Sequence, residues 1–402
     1  MLLIGGITAH STSTESTLRA LSASHPVVVA DTAQATWQRP YLADELCPLT
    51  LTTKHVLRAI TARGDAPAGV LTFDERLAPL AADVADHLDL PGYGHGATQV
   101  TGDRWRLYHR LHAVRCPTPR ARLVATVDEA VIAAAGIGYP VILKPRFPSG
   151  GRGALLARSV LDVVLAYPSY TGEGGRAGGV IVQAYLPGPE ISAVCLTQGG
   201  HSAIAAIART VTHFTPAATV ASQLVDAGDP ARTDPALDQV VRAALAAAGI
   251  ANGCSTVTVR LTRYGPMVIE VNLAAGDGVL AQLVRLASGT DLVAEAAATA
   301  LGHPVGAADR EYRSAAVTYI HAPGQGRIER LQTRDDLAGM PWVEQLCWQL
   351  REGDEVTFGD NAPPPRVGHA IVTGQDPVQC MRLAERINAG TRVILTAADQ
   401  VA

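Results

Sequence analysis

The chain has 402 residues, a formal net charge of −4, 48% hydrophobic and 4% aromatic residues. That length predicts two or three domains with ample core. The absence of a basic block or tail argues against nucleic acid or an anionic membrane as partner. No apolar run approaches the ~18 residues of a membrane-spanning helix.

The start, Met1-Leu2-Leu3-Ile4-Gly5-Gly6, lacks the charged region of a signal peptide and reads as a strand, Leu2–Ile7. Helix over Ser11–Ala23, strand over Pro26–Asp31, helix over Lys54–Arg63, an extended Gly69–Thr72 and helix over Glu75–Leu88 follow. Short apolar runs alternating with helical periods predict a parallel, Rossmann-like α/β unit. No Gly-x-Gly-x-x-Gly follows the first strand, so the dinucleotide fingerprint is missing. A linking helix over Asp103–Val114, a helix over Val127–Gly136 and the strand Pro140–Lys144 come next, then two glycine-rich loops at 149–153 and 171–178. Beyond them the sequence predicts a strand at Gly179–Ala184 and an Ala-rich helix at Asp234–Ala248. A hairpin of Ser255–Thr262 with Met267–Asn272 follows, then short strands from Ser314 and a closing helix near Pro377–Ala389. Six cysteines lie far apart with no Cys-x-x-Cys pair, the pattern of reduced, mostly buried thiols in a cytoplasmic protein.

Two lysines, Lys54 and Lys144, stand among 33 Lys and Arg. Neither follows a glycine cradle, so a P-loop nucleotide hydrolase is excluded. Lys54 reads as a solvated surface residue. Lys144 closes a β-branched strand ahead of Ser149-Gly150-Gly151-Arg152-Gly153. A cation fixed on a strand and a glycine loop offering unhindered N–H groups make a phosphate site of a different kind. A solvated strand-end lysine before an ordinary loop is the plain alternative. A protein kinase would place its glycine loop before the lysine, and no Asp-Phe-Gly or His-Arg-Asp follows. Downstream, Glu270 and Asn272 are two apart on a strand and face one side. They would offer two hard oxygen ligands suited to Mg²⁺, or would be a surface acid and a turn residue.

In this order the motifs resemble the ATP-grasp superfamily, in its carboxylate–amine ligase branch with the L-amino-acid (dipeptide) ligases. Gly138–Arg146 with Ser149–Gly153 is similar to the phosphate-binding strand and loop, Val182–Glu190 to the segment joining the two ATP-binding subdomains, and Ile269–Asn272 to the metal strand. Leu286–Leu292 with Ala300–Gly302 is similar to the helical stretch that follows it. The resemblance implies an ATP-grasp fold of two α+β subdomains clasping ATP, preceded by a Rossmann-like domain. The corresponding division is 1–100, 101–178, 179–313 and a small α+β extension at 314–402. It implies ATP bound by Arg104, Lys144, Ser149, Gly150, Gly151 and Gly153, with the adenine at Gln183, Tyr185 and Leu186 and the ribose at Glu190. Mg²⁺ falls to Glu270 and Asn272, and substrate to His213, Gly276 and Asp277, where a loop histidine or a helix cap would serve as well. Lys144 is the implied catalytic residue.

Two departures stand out. Thr258 occupies the position of a third acidic metal ligand, and Ala274 that of an arginine two residues after the asparagine. Arg260, on the strand face of Thr256 and Thr258, is the candidate to replace that charge. The implied activity is an ADP-forming amide or peptide ligase acting through an acyl phosphate on amino-acid or related carboxylate and amine substrates, as a homodimer. A biotin-carboxylase-like enzyme and a degenerate nucleotide binder without turnover remain the alternatives.

Overall fold

A computed structural model of the chain describes residues 1–5, 12–147, 153–171, 178–215, 217–273, 278–306, 313–359 and 361–396. At the N-terminus four strands form a parallel sheet in the order Asp44–Leu46, Val28–Ala30, Leu2–Ile4, Val70–Leu71. The helices Thr12–Ser24, Thr53–Arg63 and Ala78–His87 connect or cover it, as the alternation predicted. The expected single helix over Glu75–Leu88 is split: a 3-10 turn, Glu75–Leu77, precedes the helix Ala78–His87. Pro79 explains the break, because it lacks the N–H that would bond back to Glu75 and its ring fits only a first helical turn. The short strand Asp44–Leu46 and the helix His95–Thr101 were not predicted.

A small antiparallel sheet follows, ordered Ala121–Val124, Val180–Ala184, Val141–Pro145, Leu155–Ala157. Its apolar face, with Val141, Leu143 and Val182 fully buried, packs on the helices Val127–Ile137 and Val160–Ala166. The main body is an eight-stranded sheet ordered Gly265–Leu273, Gly253–Thr262, Glu190–Gln198, His201–Phe214, Ala218–Asp226, Ser314–His321, Arg366–Gly374, Val343–Trp348. The long strands between residues 190 and 226 were not foreseen, since their alanine-rich alternation carries little β signal. Pro377–Ala389 is a helix as predicted, but it does not close the chain: Thr391–Thr396 follows as a strand beside Gly326–Thr333.

One detail of the large sheet positions the site. Thr258 pairs with Glu270 and Val259 with Val268, so Ile269 is an extra residue, a β-bulge. The bulge lets both Val268 and Val271 enter the core with Val257, Val259 and the helix Pro235–Ala248. Burial of four such valines contributes roughly 1.5–3 kcal/mol each. That packing fixes the register and turns Glu270 and Asn272 to the opposite face, beside Thr256 and Thr258.

Candidate active site

Asp103 starts the arrangement. Its carboxylate caps the helix Arg104–Ala113, accepting from the backbone N–H groups of Trp105 and Arg106 at 3.0 and 3.2 Å. The same carboxylate takes a two-pronged ion pair from Arg146, with Nη2 at 2.7 Å, and the Arg104 N–H donates to the Arg146 carbonyl at 3.0 Å. Arg104 is thereby held as the first residue of its helix, over the end of the Lys144 strand. Its Nε and Nη2 donate to Glu270 Oε1 at 2.9 and 2.8 Å, and its Nη1 to the Pro145 carbonyl at 3.2 Å.

Lys144 lies beside this pair with 8% of its surface exposed. Burial pushes its pKa down to about 8, Arg104 adds to the depression, and Glu270 opposes it. Burial also works against the Glu270 carboxylate, but Arg104 first, then Lys144, hold it below the usual carboxylate range, with a hydrogen bond from Asn272 assisting. Lys144 and Arg104 thus set two cations beside Glu270, groups that can also pair with a phosphate. Lys144, Arg104, Gln183 and the bulged Ile269 line one small pocket. The Tyr170 hydroxyl lies 2.8 Å from the Leu143 carbonyl and 2.9 Å from that of Gly153, which ties the end of the glycine loop to the Lys144 strand.

The joining segment forms a second wall. The Tyr185 N–H donates to the Pro140 carbonyl at 3.2 Å, and the Tyr185 ring meets Phe214 edge-on. Gly188 has φ of +128°, and a Cβ there would collide with the Leu261 carbonyl, so only glycine fits between Pro187 and Pro189. Glu190 then faces Arg260 across two paired strands, with Nη2 2.6 Å from Glu190 Oε2 and Nη1 3.0 Å from the Gly188 carbonyl. Burial raises the Glu190 pKa and Arg260 counteracts this. Arg260 shares the face of Thr256 and Thr258 as expected, but its guanidinium is engaged by Glu190, while its buried Nε meets no hydrogen-bond acceptor among the described residues.

Residues 101–273 match the ATP-grasp domain family, and residues 318–396 match the L-amino acid ligase C-terminal domain 2. The chain carries an ATP-grasp domain. The solved L-amino acid ligase from Bacillus licheniformis shares this ATP-grasp fold with a TM-score of 0.77, at 18% identity over 98% of each chain. Uncharacterised protein y4rH of Sinorhizobium fredii is 27% identical over 320 residues, 76% of this chain and 63% of that protein. Carnosine synthase 1 of Gallus gallus is 27% identical over 277 residues, 62% of this chain and 29% of that protein. The chain thus spans less than two thirds of the length of either curated relative.

Within the ATP-grasp frame, the structure gathers Arg104, Lys144, Gln183, Glu270 and Asn272 on one side, with the Glu190–Arg260 pair near Glu270, while Tyr185 and Leu186 lie in the segment leading to Glu190. His213 is not gathered: it is exposed on the outer strand face, opposite Phe214. Ser149, Gly150, Gly151, Ala274, Gly276 and Asp277 lie outside the described residues. One acid was missed. Glu75, from the N-terminal unit, reaches the strand Gly265–Leu273 and accepts a hydrogen bond from the Leu273 N–H. Burial pushes its pKa up to about 7, with Glu270 next in effect and Arg104 opposing. No local pattern marks Glu75, because its position depends on how the parallel sheet docks on the large one.

Proposed function

We infer that the chain is an ATP-dependent carboxylate–amine ligase that joins an amino acid, or a similar carboxylate, to an amine. The observation that carries this is the buried cluster in which Lys144 and Arg104 flank an ionised Glu270 beside Asn272. Lys144 and Arg104 would bind the phosphates, and the loop ending at Gly153 would cover them and exclude water. The Tyr185 N–H is already spent on the Pro140 carbonyl, which supports the Leu186 amide as the group that would hold the base. Positioning and charge neutralisation would carry most of the rate enhancement.

The donor set fits Mg²⁺. Glu270 is held ionised and Asn272 adds an amide oxygen on the same face, both hard oxygen ligands. The described residues hold no group of three His, Cys, Asp or Glu, and Thr258 sits opposite Glu270. Phosphate oxygens and water would therefore complete the shell. When bound, the ion would offset phosphate charge.

ATP incubated with the twenty L-amino acids in pairs should release ADP for at least one pair, with an amide product in equal amount. ATP binding with no ADP release for any pair would instead favour a nucleotide binder without turnover, the reading that Thr258 opposite Glu270 supports. A second expected result concerns the ribose. Glu190→Ala should raise the KM for ATP about tenfold, the loss of one charge-assisted hydrogen bond. It should leave the KM for 2′,3′-dideoxy-ATP nearly unchanged. Steady-state kinetics with both nucleotides checks this, and equal losses would remove Glu190 from the ribose.

A further inference from the structure

Glu75 is the acid that the phosphate chemistry leaves unused. It sits at the carboxyl end of the parallel N-terminal sheet, just past the strand Val70–Leu71, the edge at which open α/β sheets place their ligands. Its turn is firmly built. The Thr72 hydroxyl donates to the Ile4 carbonyl at 2.9 Å, and Asp74 caps the turn through the Arg76 N–H. The Arg76 guanidinium is 2.6 Å from Asp74, so that cation is held on Asp74. Gly5, at φ of +51°, lies where a Cβ would run into Leu77, so the first strand lets the turn approach closely. From this support Glu75 meets the Leu273 N–H, one residue beyond Asn272, and the residue stays exposed to solvent.

We propose that Glu75 is the binding group for the amine substrate, holding its ammonium at the end of the metal strand and aiming the nitrogen at the activated carboxyl carbon. The proposal rests on the ligase reading above and names a chemical class: a primary amine that arrives as an ammonium ion, such as the α-amino group of an amino acid. In the second half-reaction the C–N bond forms and the carbonyl carbon's bond to the phosphate oxygen breaks. Phosphate leaves with the bonding pair. Of the ammonium's two surplus protons, one passes to solvent before attack and frees the nitrogen's lone pair, and the second goes to the departing phosphate. Glu75 is thus the counter-ion of the amine, whereas Lys144 and Arg104 serve the phosphates. A neutral nucleophile would not need it.

Hydroxylamine makes the distinction, because it is uncharged at neutral pH and captures acyl phosphates as hydroxamates. The full-length protein is given ATP and the twenty L-amino acids, singly with hydroxylamine and then in pairs. Glu75→Gln should lower kcat/KM for the amine by about thirtyfold or more, mainly through KM. The hydroxamate rate should fall by no more than about threefold, and Glu75→Asp should recover part of the amine affinity. Parallel loss of hydroxamate and amide would make Glu75 a strut for the metal strand and overturn the proposal, as would an unchanged KM for the amine. If the wild-type protein forms neither hydroxamate nor amide while binding ATP, the ligase reading itself fails, and the assignment of Glu75 with it.

Discussion

Lys144→Met should stop ADP release, by at least about a hundredfold, while making the protein more stable. The two effects share a cause. Lys144 is buried and its pKa falls from 10.5 to about 8, so keeping it charged costs the folded state roughly 3 kcal/mol at neutral pH. Methionine fills similar space without that cost. Glu270 loses one positive neighbour but keeps the direct bonds from Arg104, which limits the offset. The sign follows from proton binding. Between about pH 8 and 10.5 the unfolded chain holds the Lys144 proton more tightly than the folded one, so wild-type stability gains a contribution as pH rises through that window. The variant lacks it. Denaturant unfolding of both proteins at pH 7.5 and 9.5 checks the prediction: the variant should lead at the lower pH and the gap should narrow at the higher. A gap that widens with pH would contradict the electrostatic account.

Glu270→Gln should also stop turnover, by at least about a hundredfold, but with the opposite effect on stability. It leaves Arg104 and Lys144 facing each other without their shared counter-ion, in a setting where removing one partner of a partly buried pair costs a few kcal/mol. Because the side chains of Arg104 and Glu270 are 18% and 25% exposed, solvent screens part of this, and about 1–3 kcal/mol is the expected loss. Thermal melts of the two variants should therefore bracket the wild type, with Lys144→Met above and Glu270→Gln below. Adding ATP without Mg²⁺ should raise the melting temperature of Glu270→Gln more than that of the wild type, since the phosphates supply the missing negative charge. A Glu270→Gln variant as stable as the wild type, with no larger response to ATP, would mean that the carboxylate does not organise the two cations.

Much of this site was legible in the sequence, and the reason is local. Lys144, Glu270 and Asn272 sit on strands whose apolar alternation fixes which side chains share a face, whereas the helix expected over Asp103–Val114 took in Asp103, which caps it instead. What depends on pairing between distant segments was not legible. The bulge at Ile269 is visible only in the register of Gly253–Thr262 against Gly265–Leu273. Arg260 was placed on the correct face, but that Glu190 engages it follows from the register with the other neighbouring strand. Likewise the contact of Glu75 with the end of the strand Gly265–Leu273 is a matter of how two sheets dock. The helix expected over Glu75–Leu88 also hid its opening turn, although Pro79 was a readable signal for the break. The glycine loops rested on motif alone, and residues 149–151 lie outside the described structure.

The central claim is that a substrate carboxylate oxygen attacks ATP's terminal phosphoryl group and leaves with it. An active amino-acid pair with the carboxylate donor labelled in both carboxyl oxygens by ¹⁸O tests this directly. The account predicts that, for each amide formed, one ¹⁸O appears in the released phosphate and one stays in the amide carbonyl, with ADP as the nucleotide product. Unlabelled phosphate, or ¹⁸O carried into AMP, would contradict it.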